Sequence, residues 1–372
     1  MKISSTRSFA LSNILSIALA GISLVACGGG GDSAETTTST SSVAPSTVAA
    51  TSAPTTIADT TTTTIPVPVM PLTGLPVVDE AVALRPAIAT KIDNHPASRP
   101  QTGLNEADIV YEENVEKWTR FAIVMHSQGS DPIGPIRSGR TQDINLLTSL
   151  NRPLFLWSGG NATVTGLIKK SALINMSASA ASNGGGFFRS TDKKAPHNLF
   201  SKTTNIWALD AGQGGTPPPQ FSYRTDGSAA AGTATAGLKL TMDGKMRAAW
   251  EWDAASGKFI RFHDDKPHVD SNKVQVNVDN VVVIVCEYKF SQADKNSPEA
   301  QTVGTGVAWL FTQGVWTEGT WSRPDNLSPW TLTDTSGQPM LLTPGRTWVE
   351  LARDKQAVVV AAGASVADTP WP

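Results

Sequence analysis

Two arginines, Arg137 and Arg140, sit in GPIRSGR (residues 134–140) among glycines, a proline and a serine. Guanidinium groups present forked donors that match phosphate and carboxylate oxygens, and glycines let a backbone approach a ligand closely. Ser138 is expected to cap a helix running to Leu150, whose free N–H groups and dipole would complete an anion site. The competing reading is an internal ion-pair network, because Asp93, Glu106, Asp108, Glu112, Glu113 and Glu116 lie on neighbouring segments. Both readings are open at this level. The stretch has neither the lysine-bearing P-loop pattern nor the G-x-G-x-x-G pattern.

Two further stretches carry polar groups of the same kind. KIDNHP (91–96) ends a predicted strand with Asp93, Asn94 and His95, and APHNLF (195–200) offers His197 and Asn198. Strand ends and loops are where functional groups gather. Arg137, Ser138, Arg140, Asn94, His95, His197 and Asn198 are therefore the candidate ligand-binding residues, for an anion. Asp93, His95, Asp108 and His197 could ligate a metal by type. No spacing such as H-E-x-x-H supports that, so neither metal nor cofactor is expected. Ser190 and Lys193 match the S-x-x-K pattern of penicillin-binding enzymes, but the partner motifs are absent and no G-x-S-x-G exists. Glu112 and Glu113 are adjacent on a predicted strand and face opposite ways, so at most one enters a given site. No catalytic residue is assigned.

The elements that must position these residues follow from apolar patterning. Short apolar runs at 85–93, 107–114, 120–127 and 152–160 read as strands. Helical spacing appears at 141–151, 162–170 and 203–211. The expected fold is α+β or α/β over residues 71–211, then a mainly β domain over residues 221–372. GQGGTPPPQ (212–220) suits neither helix interior nor central strand and is taken as the Pro/Gly linker between them. The later part alternates through 250–265, with a hairpin turn, 273–290, 306–323 and 339–353. Its tryptophans, Trp250 and Trp252 among them, read first as core and cross-strand packing.

Upstream of residue 71 the composition changes. Lys2 and Arg7 precede an apolar stretch from Phe9 to Val25 that ends in Leu24-Val25-Ala26-Cys27. Residues 1–26 are expected to be a secretory leader. A cysteine after L-V-A resembles the bacterial lipobox, which implies a lipid on Cys27 and cleavage before it. Residues 33–64 hold 13 Thr and 6 Ser with only Glu35 and Asp59 charged. Such a segment buries too little apolar surface to offset its ordering, so residues 27–70 read as a lipidated cysteine and a disordered tether. With Cys27 lipidated, Cys286 in VVVIVCEY has no disulfide partner and is expected buried in a strand. The 30 Lys and Arg against 32 Asp and Glu give a net charge of −2, which speaks against a nucleic-acid partner.

Several stretches together resemble the YerB-like lipoproteins: PLTGLP, RPAIATKIDNHPASRPQTGLNEADIVYEENVE, TRFAIV, IGPIRSGR, KKAPHNLF, GTGVAWLF, EGTWSR and LLTPGRTWVEL. The resemblance spans roughly residues 70 to 355. It implies an exported, two-domain lipoprotein, held through its lipid at the outer face of the bacterial cytoplasmic membrane or cell envelope. It implies no activity. On residue chemistry, the favoured expectation is a binding module for an anionic cell-envelope ligand or a protein partner. The alternatives are an envelope hydrolase or transferase acting on phosphate- or sugar-bearing material, and a scaffold lipoprotein.

Overall fold

In the computed structural model, described over residues 67–372, the apolar runs become strands of one continuous mixed sheet. The N-terminal part supplies β1 (Ile88–Asp93), β2 (Ile109–Asn114), β3 (Thr119–Met125), β4 (Leu154–Trp157) and β5 (Ile174–Ser177), plus a ribbon of β6 (Phe188–Arg189) and β7 (Leu199–Phe200). Its helices are α1 (Glu80–Leu84), α2 (Gln142–Leu147), α3 (Ala162–Lys170) and α4 (Thr203–Ala208). The C-terminal part is almost entirely strand: β8 (Thr233–Met242), β9 (Met246–Asp253), β10 (Lys258–His263), β11 (Lys266–Pro267), β12 (Asn277–Val278) and β13 (Asn280–Val285) come first. There follow β14 (Tyr288–Phe290), β15 (Pro298–Ala300), β16 (Gly304–Thr312), β17 (Val315–Arg323), β18 (Thr331–Asp334), β19 (Thr347–Ala352) and β20 (Ala357–Ala361). The leader and most of the tether, Cys27 included, lie outside the described residues. Among the described residues no helix is long and apolar enough to cross a membrane.

The two parts share their sheet. Strand order through its middle is β16-β13-β19-β2-β3-β1-β4-β5. β19 comes from the C-terminal part and lies parallel to both β13 and β2, in register Thr347 to Ile109 and Glu350 to Glu112. Every residue of β1, β2, β3 and β19 is buried, which is why these strands read as near-continuous apolar runs. One core lies on the helix side, where Leu146, Leu147 and Ile168 pack on Ala89, Phe155 and Trp157. The other lies where the β8–β9–β10 sheet covers the opposite face, and Trp250, Trp348 and Phe121 meet edge to face at 5.0–5.1 Å. Trp250 and Trp252 are thus packing residues; Trp252 lies against Phe259 at 5.0 Å. Cys286 is free, buried just beyond β13, and burial pushes its thiol up to about 12.

Two local expectations change, both at the helix after GPIRSGR. The helix expected over 141–151 is α2 followed by a 3-10 turn, Thr148–Leu150. Its N-cap is Thr141, not Ser138, and no side chain caps it. The connection 212–220 is pinned to the loop before β4. Gly215 N donates to Asn151 O (3.0 Å), Arg152 Nε to Gln213 O (2.7 Å), and buried Gln220 Nε2 to Ser149 O (3.3 Å). A side chain at Gly215 would collide with Asn151, so glycine allows this close approach.

Candidate functional site

The parallel strands β1 and β4 pair only over Ile88–Thr90 and then diverge, leaving a crevice at their carboxyl ends. The GPIRSGR segment fills it. Asp93 N donates to Pro135 O (2.9 Å), Arg137 N to Lys91 O (2.8 Å), and Ser158 N to Arg137 O (3.0 Å). The same segment pairs on its other side with β7: Ile136 N donates to Leu199 O (2.6 Å), and Ile133 bridges Ser201. Gly134 is required here, since a Cβ would stand 2.6 Å from the Phe200 ring and 2.9 Å from Leu199 O. This pairing carries His197, two residues before β7, onto the end of β1.

The result is a cluster of Asp93, His197, Arg137 and His95. Asp93 Oδ2 accepts from His197 Nδ1 at 2.6 Å and stands 3.3 Å from Arg137 Nε. Its Oδ1 accepts from His95 N at 3.0 Å. The carboxylate orients the His197 ring through a proton on Nδ1. His95 stacks on His197 with centroids 4.3 Å apart and meets Trp118 edge-on at 4.9 Å. His95 Nδ1 accepts from Ala97 N (3.1 Å), so its ring is neutral; burial, then the neighbouring His197, pushes its pKa down. Arg137 keeps 22 % of its side chain exposed, and its terminal nitrogens have no partner among the described residues.

The other candidates face elsewhere. Arg140 is held by Glu116: Nε and Nη2 both donate to Oε1, at 3.0 and 2.5 Å. Burial raises Glu116, but Arg140 and Arg120 outweigh it and the net pKa is lowered. Ser138 lends only its carbonyl, to Arg120 Nη1 (3.0 Å), while its hydroxyl lies 3.4 Å from that of Ser158. Arg120 is driven down to about 10 by burial, then by Arg140. Asn94 points to the opposite face from Asp93, as the two-residue period of a strand demands. There it donates to Thr119 Oγ1 (2.7 Å) and Glu112 Oε1 (3.3 Å). Asn198 is buried and closes its own loop, donating to Ser190 O and Lys193 O and accepting from Arg189. Glu112 and Glu113 part company as expected: Glu113 meets buried Lys91, which burial lowers to about 8, and Glu112 meets Arg261 at 2.6 Å.

That last contact belongs to a second cluster, sealed between the two parts of the chain and unannounced by any motif. Arg261 Nη2 donates to Glu112 Oε2 (2.6 Å), and Nη1 faces His268 Nδ1 (2.8 Å) and His263 Nε2 (3.0 Å). His268 Nε2 donates to Gln101 Oε1 (2.9 Å). Both imidazoles must be neutral to face a guanidinium; burial, then Arg261, holds both well below the usual histidine range. Glu350 lies beside Glu112 because β19 runs parallel to β2. Burial, then the neighbouring Glu112, holds the Glu350 carboxyl well above its usual range, so it keeps its proton.

A helix-and-strand N-terminal domain joined through one sheet to a β C-terminal domain defines a two-domain class, and comparison with known proteins agrees. The family model described as "Protein of unknown function (DUF3048) N-terminal domain" matches residues 72–216, and that described as "Protein of unknown function (DUF3048) C-terminal domain" matches residues 238–349. The Bacillus subtilis (strain 168) protein named "Putative lipoprotein YerB" is 24% identical over 304 residues, covering 80% of this chain and 89% of that one. The crystal structure of YerB protein from Bacillus subtilis superposes with a TM-score of 0.68 at 23% identity, over 78% of this chain and 99% of that one. The chain belongs to the YerB-like two-domain family.

Proposed function

We propose that this chain is an extracytoplasmic binding module, tethered to the membrane through a lipid on Cys27, that takes an anionic cell-envelope group at the Asp93 cluster. The observation that carries the site is the free end of Arg137, partly exposed, with Asp93 holding both Arg137 Nε and His197 Nδ1. Local charge supports an anion: Arg137, Arg120 and Arg140 cluster here, their guanidinium groups pairing with Asp93 and Glu116, while Asp143 accepts from Arg140 N and pairs with Lys91. The name of the Bacillus relative and the LVAC stretch support the anchor. The experiment is calorimetric titration of the full chain in detergent with inorganic phosphate and with glycerol phosphate oligomers. Binding by wild type and its loss in Arg137→Ala is the expected result; equal binding by both proteins overturns the site. Cys27→Ser should abolish labelling by a fatty-acid probe, and persistent labelling would overturn the anchor.

A second reading rests on the 2.6 Å Asp93–His197 contact, which orients an imidazole as a general base for a hydrolase or transferase. Turnover of a phosphodiester probe that disappears in His197→Ala would favour it. If neither ligand nor turnover is found, the scaffold reading stands.

A further inference from the structure

A polar groove follows the seam between the two parts of the chain. One pocket, of about 470 Å³, draws Phe188, Ser190 and Lys193 from the loop before His197, Glu106 from the N-terminal part, and Ser271 and Asn272 from the C-terminal part. A neighbouring pocket of about 400 Å³ includes Arg85 and Trp207. The two share Gly129, Ser130 and Asp131, so together they offer an elongated surface. The seam is fixed beneath them: Thr102 Oγ1 bonds Ser271 Oγ (2.8 Å), and Asn105 Nδ2 donates to Asp270 Oδ2 (2.8 Å).

The lining suits a hydroxylated ligand. Phe188 stacks on Phe200 at 5.7 Å and remains 41% exposed, so one aromatic face is backed and the other is free. Such a face attracts the polarised C–H groups of a sugar ring. Trp207 is held at the far end by Arg85, 3.6 Å over its ring, and by its own N–H on Pro86 O (2.9 Å). Glu106 lines the pocket: its Oε1 accepts only a long contact from Asn272 Nδ2 (3.5 Å) and keeps acceptor capacity for a hydroxyl, while its Oε2 is buried away from solvent without a partner among the described residues. Lys193 and the second N–H of Asn272 add donors, while the Ser190 hydroxyl is turned to Asp192 (3.3 Å). Asp131 is held in place by the N–H and hydroxyl of Thr204 and by the Thr203 hydroxyl, which it shares with Ser130 O, and so serves as a fixed wall. Glu106, Asp131 and Asp192 outnumber Lys193 and Arg85, which disfavours a phosphate-bearing ligand in this groove.

We propose that the groove binds a short oligosaccharide, with one ring stacked on Phe188 and hydroxyls bonded to Glu106 and Lys193. It uses none of the residues of the Asp93 cluster, so either site can fail without the other. The test is saturation-transfer NMR on the full chain in detergent, with tetrasaccharides of N-acetylglucosamine, glucose, mannose and galactose as probes. At least one should bind saturably at millimolar concentration or below. Phe188→Ala should weaken it about tenfold or more, Glu106→Gln by about threefold, and Phe188→Tyr, which keeps the ring, hardly at all. Arg137→Ala should leave it unchanged. Absence of saturable binding by all four probes, or binding that Phe188→Ala leaves intact, overturns the proposal.

Discussion

The Asp93 cluster and the Glu112 cluster each join a carboxylate, two imidazoles and a guanidinium, and they begin one residue apart, at Asp93 and at Asn94. The strand pleat sends the first to the surface end of β1 and the second into the seam between the two parts. In the seam, Arg261 is fully buried and turns both terminal nitrogens to Glu112, His263 and His268, while its Nε has no partner among the described residues. At the surface, Arg137 rests one nitrogen near Asp93 and keeps its terminal donors unpaired among the described residues. Residue type therefore does not distinguish a staple from a site. Exposure and the use of the terminal nitrogens do: those of Arg261 are buried and committed inside the chain, whereas those of Arg137 reach the surface uncommitted and are free for a ligand.

The sharpest way to break this contrast is to cut the seam. Arg261→Ala strands Glu112 in a buried setting, and should destabilise the fold by about 3–5 kcal/mol. For a protein of this size that lowers the melting temperature by roughly 5 to 8 °C. Replacing the pair together, Arg261→Met with Glu112→Leu, should recover much of that loss, because no charge is then left unpaired. A melt of Arg261→Ala indistinguishable from wild type would remove the staple from the comparison.

Acid and base should act on the seam in opposite senses. His263 and His268 have depressed folded pKa values, so their stabilisation is present above the unfolded value near ~6.5 and is lost as pH falls from there through the folded values. Glu350 has a raised folded pKa, so its stabilisation is full below the unfolded value near ~4.3 and is lost as pH rises from there through the folded value. Each group contributes a slope of about 1.4 kcal/mol per pH unit within its window. Urea midpoints from pH 5 to 8 should therefore show Glu350→Gln gaining on wild type as pH rises. His268→Gln should lose less than wild type as pH falls below ~6.5. Parallel profiles for all three proteins would mean that the seam does not titrate as its geometry requires.

Much of the scaffold was legible from local pattern. The helix expected over 162–170 is α3 at the same bounds, and the hairpin expected over 250–265 is β9 and β10. Local signals sufficed there because each element is set by its own periodicity and turn. The insertion of β19 between β13 and β2 was not legible, since it joins distant segments and no spacing encodes a parallel neighbour. Arg261 was missed for the same reason: its partner lies on the other part of the chain. In the Asp93 cluster, Arg137, His95 and His197 were found by residue type. Asn94 could have been set apart from Asp93 by the strand period alone, whereas the loss of Arg140 to Glu116 depended on side-chain geometry. Ser138 failed as a cap because the helix starts later, at Gln142.

The smallest expected effect sharpens the comparison from the surface side. His197→Ala removes one hydrogen bond from Asp93, which keeps the backbone N–H of His95 and the nearby Arg137. His197 is partly exposed, so water can take its place on the carboxylate, and the loss should stay within about 1 kcal/mol. That is a change of a few degrees at most in the melting temperature. Phosphate at ~100 times its Kd should raise the wild-type stability by about 2.7 kcal/mol, and the variant should respond much less. The two measurements separate the meanings of the cluster. A small drop with a lost response marks a site whose groups are held ready for something outside the chain. A drop as large as that of Arg261→Ala, with no response in wild type, would mean that Asp93, His197 and Arg137 hold the GPIRSGR segment in the crevice, making the surface cluster a second staple.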